Sequence, residues 1–226
     1  MPSYVESVLD VKSKVSDEAL VKQRRIQVVH AAAQLFSEKG YYITTVQEVA
    51  RHAGVSAGLI YQYVRDKEDL LLLSILDVFD SYATEIPAAL EGIRDPLERC
   101  CSSFRAYCQV VDARRDATVL AYRSTKSLTP ERRHFIMDAE QETNQLIGEC
   151  IQTCINQGLF RPVNTELATY QLVMYAHAWA LKHWHFAKHF NLEAYIKQGL
   201  DLYLHAMLTE KGWGRMKQQI SKEPFS

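Results

Sequence analysis

A chain of 226 residues with 47% hydrophobic and 23% charged side chains has a globular composition and length enough for one or two buried cores, which excludes disorder. Nine glycines and six prolines are too few for a many-turned β fold, and the longest apolar runs, such as Leu70–Leu73 and Ala176–Leu181 with its lone His177, fall far short of the ~20 residues of a membrane span. The net charge of −1 hides an uneven spread, because residues 20–67 carry seven basic and three acidic side chains, a basic module on an acidic body.

Glu6 and Asp10 interrupt the apolar core that a secretory signal needs, so a cytoplasmic protein is expected, with no membrane partner. Residues 24–39 place Val29, Ala33 and Phe36, with Ile26, on one helical face, and Gly40 stops the helix. Thr45 and Glu48 form a capping box for a short helix that Gly54 ends, and Ser56 caps a second, AGLIYQYV. Two short helices on a tight turn, buttressed by a longer one, make a helix-turn-helix. A long connector follows from Lys67 to about Leu90, loosened by Pro87 near its end. Helices are then expected at about 95–112, 116–125, 130–157, 165–189 and 192–209. The fold class is all-α, with about nine helices: a three-helix reader over 20–66 and a helical effector-binding and dimerisation domain over 67–211. Residues 1–19 and 212–226 are expected to be mobile termini.

The reader carries the side chains that DNA recognition needs. Thr44 and Thr45 offer hydroxyls and N–H groups at a helix start, where a phosphate is favoured. Ser56 caps the reading helix, and the small Ala57 and Gly58 let its backbone approach base edges. Tyr61 and Tyr63 bring hydroxyls on rigid rings, Gln62 can bond a base or a sugar, and Lys67 adds a cation expected, like Tyr63, on a phosphate.

The run TTVQEVARHAGVSAGLIYQYVRDKEDLL, residues 44–71, resembles the DNA-binding signature of the TetR family of one-component transcriptional regulators. Val64 stands where that family usually has Phe, a change between two apolar buttresses. The resemblance extends over nearly the whole chain and implies a double-stranded operator as partner, a homodimer, and an effector cavity among the C-terminal helices. Repression relieved by a small molecule is the family's usual behaviour. The stretches YRSTKSLTPE, GLFRPVN and WALKHW are similar to those of members answering to acyl-coenzyme A esters, which makes an acyl-CoA the expected effector.

Candidate effector residues come from helical stripes. They are Phe104, Tyr107 and Cys108 on helix 95–112, Glu140 and Asn144 on helix 130–157, and Met174, His177 and Trp184 on helix 165–189. Arg123, with Arg114, Arg115, Lys126, Arg132 and Arg133, supplies cations for an anionic ligand. A hydrophobic or cationic drug held by aromatics and Glu140 is the competing ligand. Trp179, Trp184, Tyr195, Leu202, Tyr203 and Met207 offer more apolar surface than one subunit buries, which favours a homodimer through helices 165–189 and 192–209.

None of the motifs GxSxG, HExxH, GxxxxGK[ST] or GxGxxG occurs, so catalysis is disfavoured and no cofactor is expected besides the diffusible effector. Five cysteines without a CxxC pair argue against a disulfide framework and a zinc ribbon, and the Cys150/Cys154 and His185/His189 pairs lack a recognised metal spacing.

Overall fold

Short side-chain caps and proline-led starts set the boundaries of the helices. A computed structural model describes residues 3–7 and 18–220. Its helices are α1 (Tyr4–Ser7), α2 (Glu18–Lys39), α3 (Val46–His52), α4 (Ala57–Tyr63), α5 (Lys67–Ala89), α6 (Pro96–Ala113), α7 (Arg115–Ser124), α8 (Pro130–Asn156), α9 (Thr165–Leu181), α10 (His183–Phe186), α11 (Leu192–Met207) and α12 (Glu210–Ile220). The all-α class holds, and among the described residues the only β feature is an isolated bridge between Phe160 and Leu208. The count exceeds the nine helices expected because α1, α10 and α12 are added.

The caps are local and follow the sequence. Thr45 accepts the Glu48 N–H while Glu48 reaches back to the Thr45 N–H, closing the capping box, and Ser56 accepts from Leu59. Asn164 and Asn191 start α9 and α11 in the same way, while α6 and α8 open on Pro96 and Pro130, whose missing N–H costs nothing there. Gly40 and Gly54 stop α2 and α3 at φ of 99° and 69°, left-handed backbone that a side chain would strain.

The chain forms two compact units. Of the described residues, those up to 81 and 114–140 form the first and 82–113 and those from 141 onward the second, so α5 and α8 each run through the division. The first unit holds the reader together with α7 and the start of α8, which the sequence boundary at residue 67 did not include. Long-range contacts are the reason: α2 packs on α7, Arg114 pairs with Asp77 at 2.8 Å, and Arg132 pairs with the fully buried Asp69. Its core is Val29, Ala32 and Phe36 of α2 with Val49, Ile60 and the run Leu70–Leu76, although Ile26 at 44% exposure falls outside that core. At the start of the chain, Ser3 and the N–H groups of Tyr4 and Val5 donate to Asp80, and Tyr4 packs edge-on to Phe79. Residues 1, 2, 8–17 and 221–226, within the termini expected to be mobile, lie outside the described residues.

In the second unit α6 packs on α9 and α11 around Leu97, Phe104, Tyr107, Ile147, Ile151, Val173 and Ile196. Helix α9 stops at Leu181 instead of running to residue 189, because Lys182 leaves helical geometry at φ −121° and ψ 24°. Trp179 and Tyr195, expected at a subunit interface, are buried inside the unit. Trp179 donates to Asp112 at 2.7 Å, and Tyr195 stacks on Tyr175 while each hydroxyl donates to the other's carbonyl. Met207 is buried as well. Beyond α11, residues 210–220 form α12, which takes in the first part of the 212–226 terminus expected to be mobile. The junction is tied down by Arg161 N–H donating to the Met207 carbonyl and Thr209 N–H to the Leu159 carbonyl, at 2.8 and 3.0 Å.

Candidate functional site

Recognition by a helix-turn-helix requires exposed polar groups on a rigid frame, and the first unit separates the two roles among the expected residues. Thr45, Ser56, Gly58, Tyr61 and Gln62 are exposed and Ala57 is half-buried, so α4 and its cap offer small residues, hydroxyls and a carboxamide to a ligand. Three residues expected at DNA turn inward. Thr44 is 1% exposed, and its hydroxyl donates to the Gly40 carbonyl at 2.9 Å. Tyr63, at 3%, is part of the core and presents almost no surface to a phosphate, and Arg25 holds its carbonyl at 3.1 Å.

Lys67 spends its three ammonium donors on the carbonyls of Tyr41, Tyr42 and Thr44, at 2.9, 3.1 and 3.1 Å, above the Tyr41 ring. It is a brace for the loop between α2 and α3. Gln47 and Arg51, outside the expected set, are exposed on α3. Their signal was polarity opposite the apolar positions Val46, Val49 and Ala50. The capping box and the Lys39 ammonium hold the Glu48 carboxyl down at about 2, so this helix start keeps its carboxylate at any physiological pH.

The second unit brings three of the expected effector residues together. The Tyr107 hydroxyl lies 3.0 Å from His177 Nε2 and 3.4 Å from Asn144 Oδ1. Tyr82, absent from the candidates, completes the group: its hydroxyl is 3.3 Å from the same nitrogen, and its ring stacks on Tyr107 at 4.1 Å and 13°. A tyrosine at a regular position of a Leu-rich stripe reads as plain core, which hid its polar tip. Burial pushes the His177 imidazole down to about 4, so it is neutral at pH 7. Asn144 is 4% exposed, and among the described residues its Nδ2 has no hydrogen-bond partner. An unmatched donor in a low-dielectric interior costs about 1–3 kcal/mol, so a ligand group that pairs with it is favoured.

Phe104 and Cys108 are fully buried in the same core, Phe104 against Tyr175 at 5.9 Å, and burial pushes the Cys108 thiol up. Met174 and Trp184 do not join them: they are 46% and 67% exposed, and Trp184 lies under the Lys188 ammonium. Arg123 and Glu140 belong to the first unit. Arg123 is exposed and reaches the Ser37 carbonyl at 3.4 Å, while burial raises the Glu140 carboxyl. Of the expected cationic rim, Arg114 and Arg132 are committed to Asp77 and Asp69. Two cavities of ≈ 510 Å³ each open in the second unit. One lies among Pro87, Pro96, Arg99 and Cys150, and the other between α8 and α9 with Asn144 in its lining.

Comparison with known proteins assigns both halves. Residues 28–73 match the sequence model of bacterial regulatory proteins of the tetR family, and residues 94–185 match that of the tetracyclin repressor-like C-terminal domain. The chain is 51% identical over 222 residues to the HTH-type transcriptional regulator HbdR of Aromatoleum sp. (strain CIB), covering 98% of this chain and 95% of that protein. The crystal structure of the TetR family regulator PfmR from Thermus thermophilus superposes at a TM-score of 0.70, with 25% identity over 79% of this chain and 97% of that one. AibR, solved in complex with isovaleryl coenzyme A and operator DNA, shares the fold at a TM-score of 0.66 and 20% identity, over 79% and 97% of the two chains. Among the described residues no helix is long and apolar enough to cross a membrane. The chain belongs to the TetR family of DNA-binding transcriptional regulators.

Proposed function

We propose that the protein is a homodimeric repressor that holds a near-palindromic operator through α4 of each subunit and leaves it when a small molecule, an acyl-CoA, binds the C-terminal unit. The observation that carries the reading is the polar group Tyr82, Tyr107, His177 and Asn144, set in an apolar core with one carboxamide nitrogen unmatched. A core that serves packing alone does better with apolar side chains, whereas a few convergent polar groups on apolar walls orient a ligand. An acyl-CoA can offer a polar group of its arm to such a donor while its acyl group lies against the apolar walls around Phe104. The shared fold with AibR, a protein solved with isovaleryl coenzyme A and operator DNA, supports the ligand class.

Subunit association is supported by the exposed apolar side chains of Leu167 (66%), Met174 (46%), Trp184 (67%) and Leu202 (68%), spread over α9, α10 and α11. Helices α5 and α8 run through both units and give an effector two continuous routes to the reader. Titrating the protein–operator complex with acyl-CoAs, free fatty acids and cationic dyes tests the reading. Release by acyl-CoAs is expected, and release by dyes alone would replace it with drug sensing. Gln62→Ala should alter base preference, because Gln62 is exposed on the reading helix.

A further inference from the structure

The cavity between α8 and α9 has an unusual lining. It is built from carboxamides and hydroxyls, including Gln141, Gln145, Asn144 and Thr169, and its charged lining residues are Glu149 and Glu166, with no Lys or Arg. Such a wall repels phosphate, so the charged end of a coenzyme A ester does not belong there. It suits a neutral chain that carries its own amides. The exposed side chains of Gln141 and Gln145 are not engaged with another side chain or carbonyl among the described residues, and Asn144, nearly fully buried, has one polar atom unmatched. Whichever way that carboxamide is turned, one end faces Tyr107 and the other is left over. A ligand amide satisfies either case, because it holds a donor and an acceptor side by side. At Gly148 the two helices come close, where a Cβ would meet Thr169 Oγ1 at 3.2 Å, so the space depends on the missing side chain.

We propose that this cavity is the seat of the pantetheine arm of the effector thioester, with Asn144 bonding one of its two amides and the acyl group directed toward the Tyr107 and His177 cluster. The assignment rests on the acyl-CoA reading above and adds the part of the ligand that the cavity recognises. The test uses the full-length protein and calorimetric titration with isovaleryl, octanoyl and benzoyl thioesters, each made with coenzyme A, pantetheine and N-acetylcysteamine.

For the acyl group that binds, the pantetheine ester is expected to stay within about tenfold of the CoA ester. The N-acetylcysteamine ester, which lacks the outer amide and the pantoyl part of the arm that the cavity would hold, should be at least about tenfold weaker. Gly148→Leu fills the cavity and Asn144→Leu removes its amide. Each should weaken the pantetheine ester about tenfold or more while ligand-free operator binding, the control for folding, is kept. Equal binding of all three esters with a silent Gly148→Leu would overturn the cavity assignment and leave the acyl-CoA reading standing. Binding of the CoA ester without the pantetheine ester would overturn it too, since the phosphates would then hold the ligand. Failure of every CoA thioester to bind would overturn both.

Discussion

Lys67→Met separates two roles for one cation. A lysine on a phosphate contributes to the salt dependence of operator binding and little to stability, and its loss lowers the slope of log K against log salt by roughly 0.9 per lysine. A lysine on three carbonyls does the reverse. The Lys67 ammonium donates at 2.9, 3.1 and 3.1 Å to Tyr41, Tyr42 and Thr44, and its charge lies 4.6 Å from the Tyr41 ring centre. Bonds to a charged donor are worth ~1.5–3 kcal/mol each when buried, but this side chain is only half-buried and water replaces part of them. A net loss of about 2 kcal/mol follows, or a fall of roughly 4–8 °C in Tm for a chain of this size. Methionine keeps the apolar stem over the tyrosine ring, so the change isolates the donors. Thermal unfolding and operator titration at several salt concentrations should show lower stability with an unchanged slope. A stability loss under about 0.5 kcal/mol together with a shallower slope would refute the brace and restore the phosphate contact.

The pair of glycines in α12 makes a second comparison. A Cβ at Gly212 runs into the Leu159 carbonyl, so Gly212→Ala should destabilise by about 1–3 kcal/mol despite better helix propensity, while nothing lies within 4 Å of Gly214 and Gly214→Ala should stabilise by up to about 1 kcal/mol in denaturant melts. His177 gives a pH dependence: the unfolded imidazole takes its proton near 6.5 and the folded one only near 4, so stability is whole above about pH 7 and falls by up to roughly 3 kcal/mol as pH drops through 6.5 to 4. In His177→Gln that part of the slope should vanish, and a wild-type protein equally stable at pH 7 and 4.5 would contradict the neutral, buried ring. Met174→Lys with Leu202→Lys places charges on the exposed apolar faces of α9 and α11 and should shift sedimentation from dimer to monomer at micromolar concentration; an unchanged mass would move the interface elsewhere.

What the sequence disclosed and what it withheld divide by range. Thr45 with Glu48, Ser56, Asn164 and the prolines at 96 and 130 act within four residues, so the starts of α3, α4, α6, α8 and α9 were legible to within a residue or two, whereas α2 begins at Glu18, six residues before the expected start. Lys67 and Tyr63 were expected on phosphates, and the partners the fold gives them lie across the chain. The carbonyls that hold Lys67 are more than twenty residues away, and no local pattern distinguishes a carbonyl cradle from a phosphate. Asp69, a charge near the start of α5, is fully buried, held by the nearby Arg65 and by the distant Arg132. Burial works to raise its carboxyl, but the Arg65 and Arg132 guanidiniums and an Arg65 N–H outweigh it. Spacing did place Asn144 and His177 among the inward positions, with Tyr107 at the edge of its stripe, and it could not tell them from Met174 and Trp184, which share the spacing and point out.

The energetics of a switch limit what the polar cluster can do alone. Moving a two-state population from 1:99 to 99:1 takes about 5.5 kcal/mol of differential affinity, and pairing the unmatched Asn144 nitrogen with a ligand amide, within its ~1–3 kcal/mol cost, supplies about 1.5 kcal/mol of it. The remainder has to come from apolar burial. At ~25 cal/mol per Å², about 160 Å² of acyl surface withdrawn from water in one state and not in the other closes the difference. An acyl group of a few carbons falls below that area, and one of branched or aromatic size reaches it. A thioester with the full neutral arm and only an acetyl group should therefore occupy the site, compete with longer esters, and leave the operator complex largely intact.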